Sequence, residues 1–447
     1  MKTTNSPKLF FNHSTLLAFS KSECAKTGWR GVFKGSFLSW RLICAGLLIQ
    51  IGMPVLRVEA QEAAAFCRNA EEVRILVSSI NKLEFKQDVS CVVQNRHEVE
   101  NYLRRLVQRQ VPAERLKAEE FVYQVIGLIP KDFDYEQGLI NLYLSQLGGY
   151  YDPEGKLLVM ADWQPLSLQK GIMVHELTHA LQDQHYDLRA FINLKIENGD
   201  LLLARAALAE GHAAAVAEDY FEAAGGKLLL EEGGRRNIHT TRTGLELYTL
   251  DVALPLSLRL LASFPYTHGL RFVKGLLRKD GYAEVKRAYA RPPRSSEEIL
   301  HPEKYFARHL DFTEFEDEQV LKCNERGDWV VKYRETMGEY AITALFLSLL
   351  EDQDAALQAA EGWDGDRLVL VEAHGVGRAV IWLSRWDSET DAREFLELYL
   401  KSLKKRLPKD GRQGGLDAGV WGWLDEKSAL YFKRLGRQVC LNFQLAA

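Results

Sequence analysis

The chain has 447 residues, 47% hydrophobic and 26% charged, with 57 Lys and Arg against 61 Asp and Glu for a net charge of −4. That length can bury a full core and fits two or three domains, and the composition excludes collagen-like, coiled-coil and disordered classes. No basic stripe is sustained, so no nucleic acid partner is expected.

The N-terminus departs from this balance. Residues 1–41 hold seven Lys or Arg and one acid, and Leu42–Met53 is an apolar run. Val58-Glu59-Ala60-Gln61 follows as a small-residue cleavage site. Together they describe a secretory signal. The apolar run falls short of the roughly 20 residues a membrane span needs. Residues 1–60 are therefore read as an export segment, with an uncleaved anchor as the alternative. No stable membrane span is expected after its removal. The remaining chain carries 49 bases and 59 acids, a net charge of −10, which fits a secreted or periplasmic enzyme. It keeps Cys67, Cys91, Cys323 and Cys440. None forms a C-x-x-C pair, which argues against a thiolate metal site. An even number in an exported protein permits disulfides, with Cys67–Cys91 the expected local pair.

Residues 61–135 form a predicted helical region, and the helical reading continues to about Gln146. Val99–Gln108 and Ala113–Ile126 show 3.6-residue periodicity, punctuated by Pro112 and Pro130. Tyr150 to Met160 reads as a β-hairpin about Asp152-Pro153-Glu154-Gly155, a type I turn signature. Its first strand either closes a small sheet or takes an extended substrate by strand addition. Tyr150 or Tyr151 is a candidate oxyanion donor.

Next comes His175-Glu176-Leu177-Thr178-His179. On a helix, positions i and i+4 share one face, so both rings reach one ion at about 2.0–2.1 Å. Glu176 stands about 100° further round, placed to handle a proton rather than to bind metal. Ile172, Met173, Leu177, Ala180 and Leu181 form an apolar flank opposite the histidines. This is the motif of zinc-dependent peptidases.

Catalytic zinc usually takes three protein ligands and leaves the fourth position to water. Glu210 is one candidate, on the alanine-rich predicted helix from about Leu201 to Ala224. His185 is the other. It has the metzincin ligand spacing, but Gln182 stands where that pattern needs a turning glycine. A continuing helix would carry His185 off the face of His175 and His179, so Glu210 is favoured. Asp183 is a candidate to accept the free ring N–H of a ligand histidine, and His212 a weaker one for an oxyanion donor.

Apolar periodicity runs from Leu245 to Tyr289 and breaks at Pro292-Pro293, after which Ser295 or Ser296 is expected to cap a short helix. His301 is read as part of a helix-capping turn. Thr336–Leu350 is a predicted helix, and Leu368–Glu372, Arg378–Arg385 and Ser428–Leu435 are predicted strands. Asp387-Ser388 begins an amphipathic helix to about Lys404, and residues 408–415 read as a flexible loop. Trp382, Trp386, Trp421 and Trp423 are expected to fill a core.

The run from His175 to Leu188 resembles the active-site helix of gluzincin metallopeptidases, closest to a little-characterised group of secreted bacterial proteins. Gly148–Gly155, Ala209-Glu210-Gly211, Phe264-Pro265-Tyr266, Ser296–Tyr305 and Gly362–Asp366 resemble segments of that group as well. The resemblance implies a zincin fold, with His175, His179 and Glu210 as zinc ligands and Glu176 as base. Thermolysin-like members carry an aspartate four residues after the ligand glutamate, where this chain has Ala214. That departure argues against the thermolysin family itself.

The combined expectation is a mainly helical α+β protein: an export segment 1–60, a helical region 61–135, a zincin-like core 136–310 and a C-terminal α+β unit 311–447. It is read as an exported Zn2+-dependent metallopeptidase acting on a peptide or protein substrate. The alternatives are an envelope scaffold with a structural zinc site and a zinc hydrolase of a non-peptide bond.

Overall fold

A computed structural model describes residues 67–146, 148–164, 166–223, 254–307, 313–324, 328–350, 352–374, 377–407, 412–416, 420–424 and 428–445. The export-segment reading of residues 1–60 lies outside them.

Helix α1 (Ala70–Asn81) places Glu71 and Glu72 in its first turn, where acids complement the helix dipole. It stops where Lys82 turns left-handed at φ 54°. Strand β1 (Ser90–Gln94) follows, correcting the expectation of helix throughout this region. Cys91-Val92-Val93 is too short to show a period, and its conformation is set by pairing with a later strand and by the Cys67–Cys91 disulfide. A capping box of Asn95 and Glu98 opens α2 (Arg96–Gln110). Helix α3 (Ala113–Ile126) starts after Pro112 and ends at Gly127, whose φ of 93° suits glycine; α4 (Tyr135–Gln146) follows.

The expected hairpin is present as β2 (Gly149–Asp152) and β3 (Leu157–Ala161). Within its turn Asp152 Oδ1 accepts the Glu154 N–H at 3.0 Å. Strand β3 is central, parallel to β1 and antiparallel to β2, so β2 is a sheet edge.

Among the described residues the helices that come next are α5 (Leu166–Tyr186), α6 (Leu188–Phe191), α7 (Gly199–Ala223) and α8 (Leu256–Ala290). Met173, Val174, Leu177 and Leu181 of α5 pack against Val73 and Val77 of α1, Leu158 and Met160 of β3, and Val216 and Tyr220 of α7. The apolar flank expected of the His-Glu-x-x-His helix is thus buried, and its polar edge turns the other way. Helices α7 and α8 approach most closely at Gly211 and Gly269. A Cβ on Gly211 would collide with the Gly269 backbone, and one on Gly269 with the Ala207 backbone. Bare glycines let the two helices touch main chain to main chain. Any side chain there must push them apart, at a cost of about 1–3 kcal/mol or more. Pro265 sits inside α8, and helical geometry is interrupted at Asp280 and Gly281.

Ser295 Oγ accepts the Glu298 N–H at 3.2 Å and so caps α9 (Ser296–Leu300). His301 ends that helix and pairs with Glu339 at 2.9 Å. Helices α10 (Pro302–Ala307) and α11 (Asp317–Leu321) lead to the last part of the chain. There β4 (Val330–Glu335), α12 (Gly338–Leu349), α13 (Gln353–Gln358), β5 (Trp363–Ala373), β6 (Gly377–Trp386), α14 (Glu389–Lys404), β7 (Arg412–Leu416), β8 (Val420–Leu424), β9 (Ser428–Leu435) and β10 (Gln438–Leu445) build one sheet with its helices. Its seven strands run β4-β5-β6-β10-β9-β8-β7, every neighbouring pair antiparallel. Residues 412–415, expected as loop, are strand instead. Gly414 pairs with Gly422 and Gly415 with Trp421, a ladder without the apolar alternation that marks a strand in sequence.

The sheet is covered on both faces at β6. Val380 and Trp382 join Phe395 and Tyr399 of α14 in the largest core, while Ala379, Ile381 and Leu383 join Phe315 and Val320 on the other side. Cys323–Cys440 bridges that second face. Trp382 and Trp386 fill the core as expected; the side chains of Trp421 and Trp423 lie outside the described residues. Overall the fold is α+β and mainly helical.

Candidate metal centre

Helix α5 presents His175 and His179 one turn apart, and α7 delivers Glu210 opposite them. The small residues around Glu210 make this close packing possible; Ala207, Ala209 and Ala213 are all buried. Nε2 of His175 lies 2.9 Å from Glu210 Oε2, and Nε2 of His179 lies 3.2 Å from the same oxygen. The two Nε2 atoms are 3.1 Å apart. Ligands of one tetrahedral zinc at 2.0–2.1 Å stand about 3.3–3.4 Å from one another, so the three atoms fit a single small cation. Groups that are all lone-pair donors need a positive species between them at this spacing, either a proton or a metal ion. The side chains of His175, His179 and Glu210 are 19%, 13% and 22% exposed, so the cluster is open to solvent on one side. Among the described residues no fourth His, Cys, Asp or Glu joins the group.

The charges interact strongly. Burial alone would raise the Glu210 carboxyl, but the two imidazoles outweigh it and hold the pKa below the usual carboxylate range. Burial likewise opposes charge on His179, yet Glu210 and Glu176 raise it to about 9. Glu176 takes a different position. Its Oε2 accepts the Tyr151 N–H of edge strand β2 at 2.9 Å. Burial raises its pKa against the opposing pull of both histidines.

Other candidates are placed elsewhere. His185 Nε2 bonds the Glu84 carbonyl at 2.8 Å, as a surface residue off the ligand face. Asp183 bonds neither His175 nor His179, which corrects the expectation that it accepts a histidine ring N–H. It accepts from the Tyr151 hydroxyl at 3.0 Å, Lys156 Nζ at 2.5 Å and the Leu188 N–H at 3.2 Å. The hairpin therefore draws it away from the rings. The residue behind His179 is Gln182, whose Oε1 lies 2.8 Å from Nδ1. Tyr150 bonds Gln94 at 3.0 Å, so its hydroxyl, like that of Tyr151, is engaged outside the cluster. His212 is buried against Asn81 Oδ1 at 2.7 Å, with its pKa lowered by burial to about 3.

The phenol that does stand at the cluster is Tyr266 of α8. Its ring stacks beside His175, centroids 6.0 Å apart and planes 24° from parallel, and burial together with the nearby Glu210 and Glu176 carboxylates raises its phenol pKa well above the usual value. Neither this role nor that of Gln182 follows from spacing. Gln182 is visible on the ligand helix, three residues after His179, but Tyr266 reaches the site only through the Gly211–Gly269 helix crossing.

The model of a family described as a domain of unknown function (DUF8575) matches residues 329–443, which is less than half of the chain and covers the C-terminal sheet rather than the cluster. No curated protein and no solved structure matches the chain.

Proposed function

We propose that this chain is an exported zinc-dependent metallopeptidase. The observation that carries the proposal is the convergence of His175, His179 and Glu210 on one point, beside a glutamate that bonds the neighbouring strand instead of joining them. His175, His179 and Glu210 would hold the metal. A zinc ion bound there would acidify a water molecule toward neutral pH and polarise a substrate carbonyl. Glu176 takes the proton from the attacking water and delivers it to the leaving amine. The Tyr266 hydroxyl donates to the oxyanion that develops on the carbonyl. Strand β2, an edge whose Tyr151 N–H already meets Glu176, offers an extended peptide a backbone to pair with, directly beside the base. The two disulfides are consistent with an oxidising, extracytoplasmic compartment. A closed structural zinc site is less well supported, because His185 and His212 are both engaged elsewhere.

Incubating the zinc-supplemented chain with a mixed peptide library tests this directly. Cleavage is expected, stopped by a zinc chelator and restored by added zinc. An intact library in the presence of bound zinc would contradict it. Within the same assay, Tyr266→Phe is expected to lower turnover by about 10²-fold, the usual effect of losing one oxyanion donor, with zinc content unchanged. Unaltered turnover would remove Tyr266 from the mechanism.

A further inference from the structure

We infer that Gln182 is a positioning residue that fixes which nitrogen His179 offers to the metal, acting through a buried chain that ends on α1. This inference rests on the zinc site proposed above. Gln182 Nε2 lies 2.9 Å from the Ala209 carbonyl. A carbonyl only accepts, so the amide orientation is set, with NH2 toward α7 and Oε1 toward His179. At 2.8 Å, Oε1 then requires a proton on His179 Nδ1, which leaves the Nε2 lone pair free for the metal.

The far end of the chain gives the same answer independently. Asn81 Nδ2 donates to the Val77 carbonyl at 2.7 Å, which leaves Oδ1 to face His212 Nε2 at 2.7 Å. His212 therefore carries its proton on Nε2 and accepts at Nδ1. Gln182 Nε2 lies 3.2 Å from that nitrogen, with its second hydrogen available. The Tyr289 hydroxyl also reaches it at 3.2 Å. Two backbone carbonyls on different helices thus impose one consistent set of protons. Gln182, His212 and Asn81 are 1%, 3% and 4% exposed, so water does not substitute for a broken link. Ala209 immediately precedes Glu210, so the same amide also sets the register between the two ligand-bearing helices.

The test is zinc affinity, measured by competition with a chromogenic chelator. Gln182→Leu keeps the bulk and removes both functions, and is expected to weaken binding by about 10–100-fold, the usual effect of losing support behind a ligand histidine. Gln182→Glu keeps an acceptor opposite His179 but loses the tie to Ala209, and is expected to recover most of that loss. Thermal melts of the metal-free variants report whether each one folds. In the zinc-loaded wild type, ¹⁵N labelling of histidine is expected to show an exchange-protected proton on His179 Nδ1. Ligation through Nδ1 would overturn the inference whatever the variants do. So would a Gln182→Leu affinity within about twofold of wild type, since the usual loss is tenfold or more, or equal losses in Leu and Glu, which would make Gln182 a packing tie alone. A wild-type chain with no zinc affinity would overturn both this inference and the zinc reading on which it rests.

Discussion

Glu176→Gln is expected to reduce peptide turnover by about 10²–10⁴-fold, the contribution typical of a positioned general base, while zinc content stays at the wild-type value. The substitution is nearly isosteric. Its amide oxygen can still accept the Tyr151 N–H that Glu176 Oε2 accepts at 2.9 Å, so the contact with β2 survives. The ligand atoms belong to other residues, so the metal site survives as well. What disappears is the capacity to take a proton. Cleavage at the wild-type rate by a zinc-replete Glu176→Gln chain would refute the assignment of the base.

The second large effect is expected far from the cluster. Asp366→Asn should destabilise the fold by about 2–6 kcal/mol, as expected when two buried donors lose their acceptor at about 1–3 kcal/mol each. Asp366 is buried and accepts four hydrogen bonds. Oδ1 takes the Gly338 N–H and the Trp363 indole N–H, each at 2.9 Å. Oδ2 takes the Met337 N–H at 3.0 Å and the Trp382 indole N–H at 2.9 Å. Burial pushes the carboxyl pKa up, and these four donors pull it back toward the ionised form. An asparagine must turn an NH2 group toward two of the donors, leaving them and its own hydrogens unsatisfied. The loss reaches the His175–His179–Glu210 cluster through packing. Asp366 holds the first turn of α12, where Gly338 is pressed against Asp200 of α7, and Glu335 accepts the Gly199 N–H at the start of α7. Chemical denaturation of wild type and Asp366→Asn reads the difference. Coincident transitions would show that the four donors find other partners.

The pairing of His175 and His179 is legible in sequence because helix geometry alone puts positions i and i+4 on one face. Glu210 is legible for a different reason: an alanine-rich helix is readily recognised and can pack closely. Asp183 shows where this reasoning ends. Residues three and four positions beyond His179 are both its neighbours on the helix, and only the tertiary contacts select between them. Tyr151 and Lys156 claim Asp183, and Ala209 orients Gln182. Tyr266 depends on a helix crossing that no local pattern encodes. The same holds for strands. β5, β6 and β9 carry continuous or alternating apolar runs and are recognisable, whereas β1 and β7 are too short or glycine-rich and become strands through their partners.

On the proposed reading, one carboxylate on α7 completes a zinc site begun by two rings on α5. Zinc per chain, measured after dialysis against metal-free buffer for wild type and for Glu210→Ala, tests it most directly. About one zinc in the wild type, as expected for a three-ligand site, and close to none in the variant is the predicted result. Equal zinc in both proteins, or none in the wild type, would contradict it.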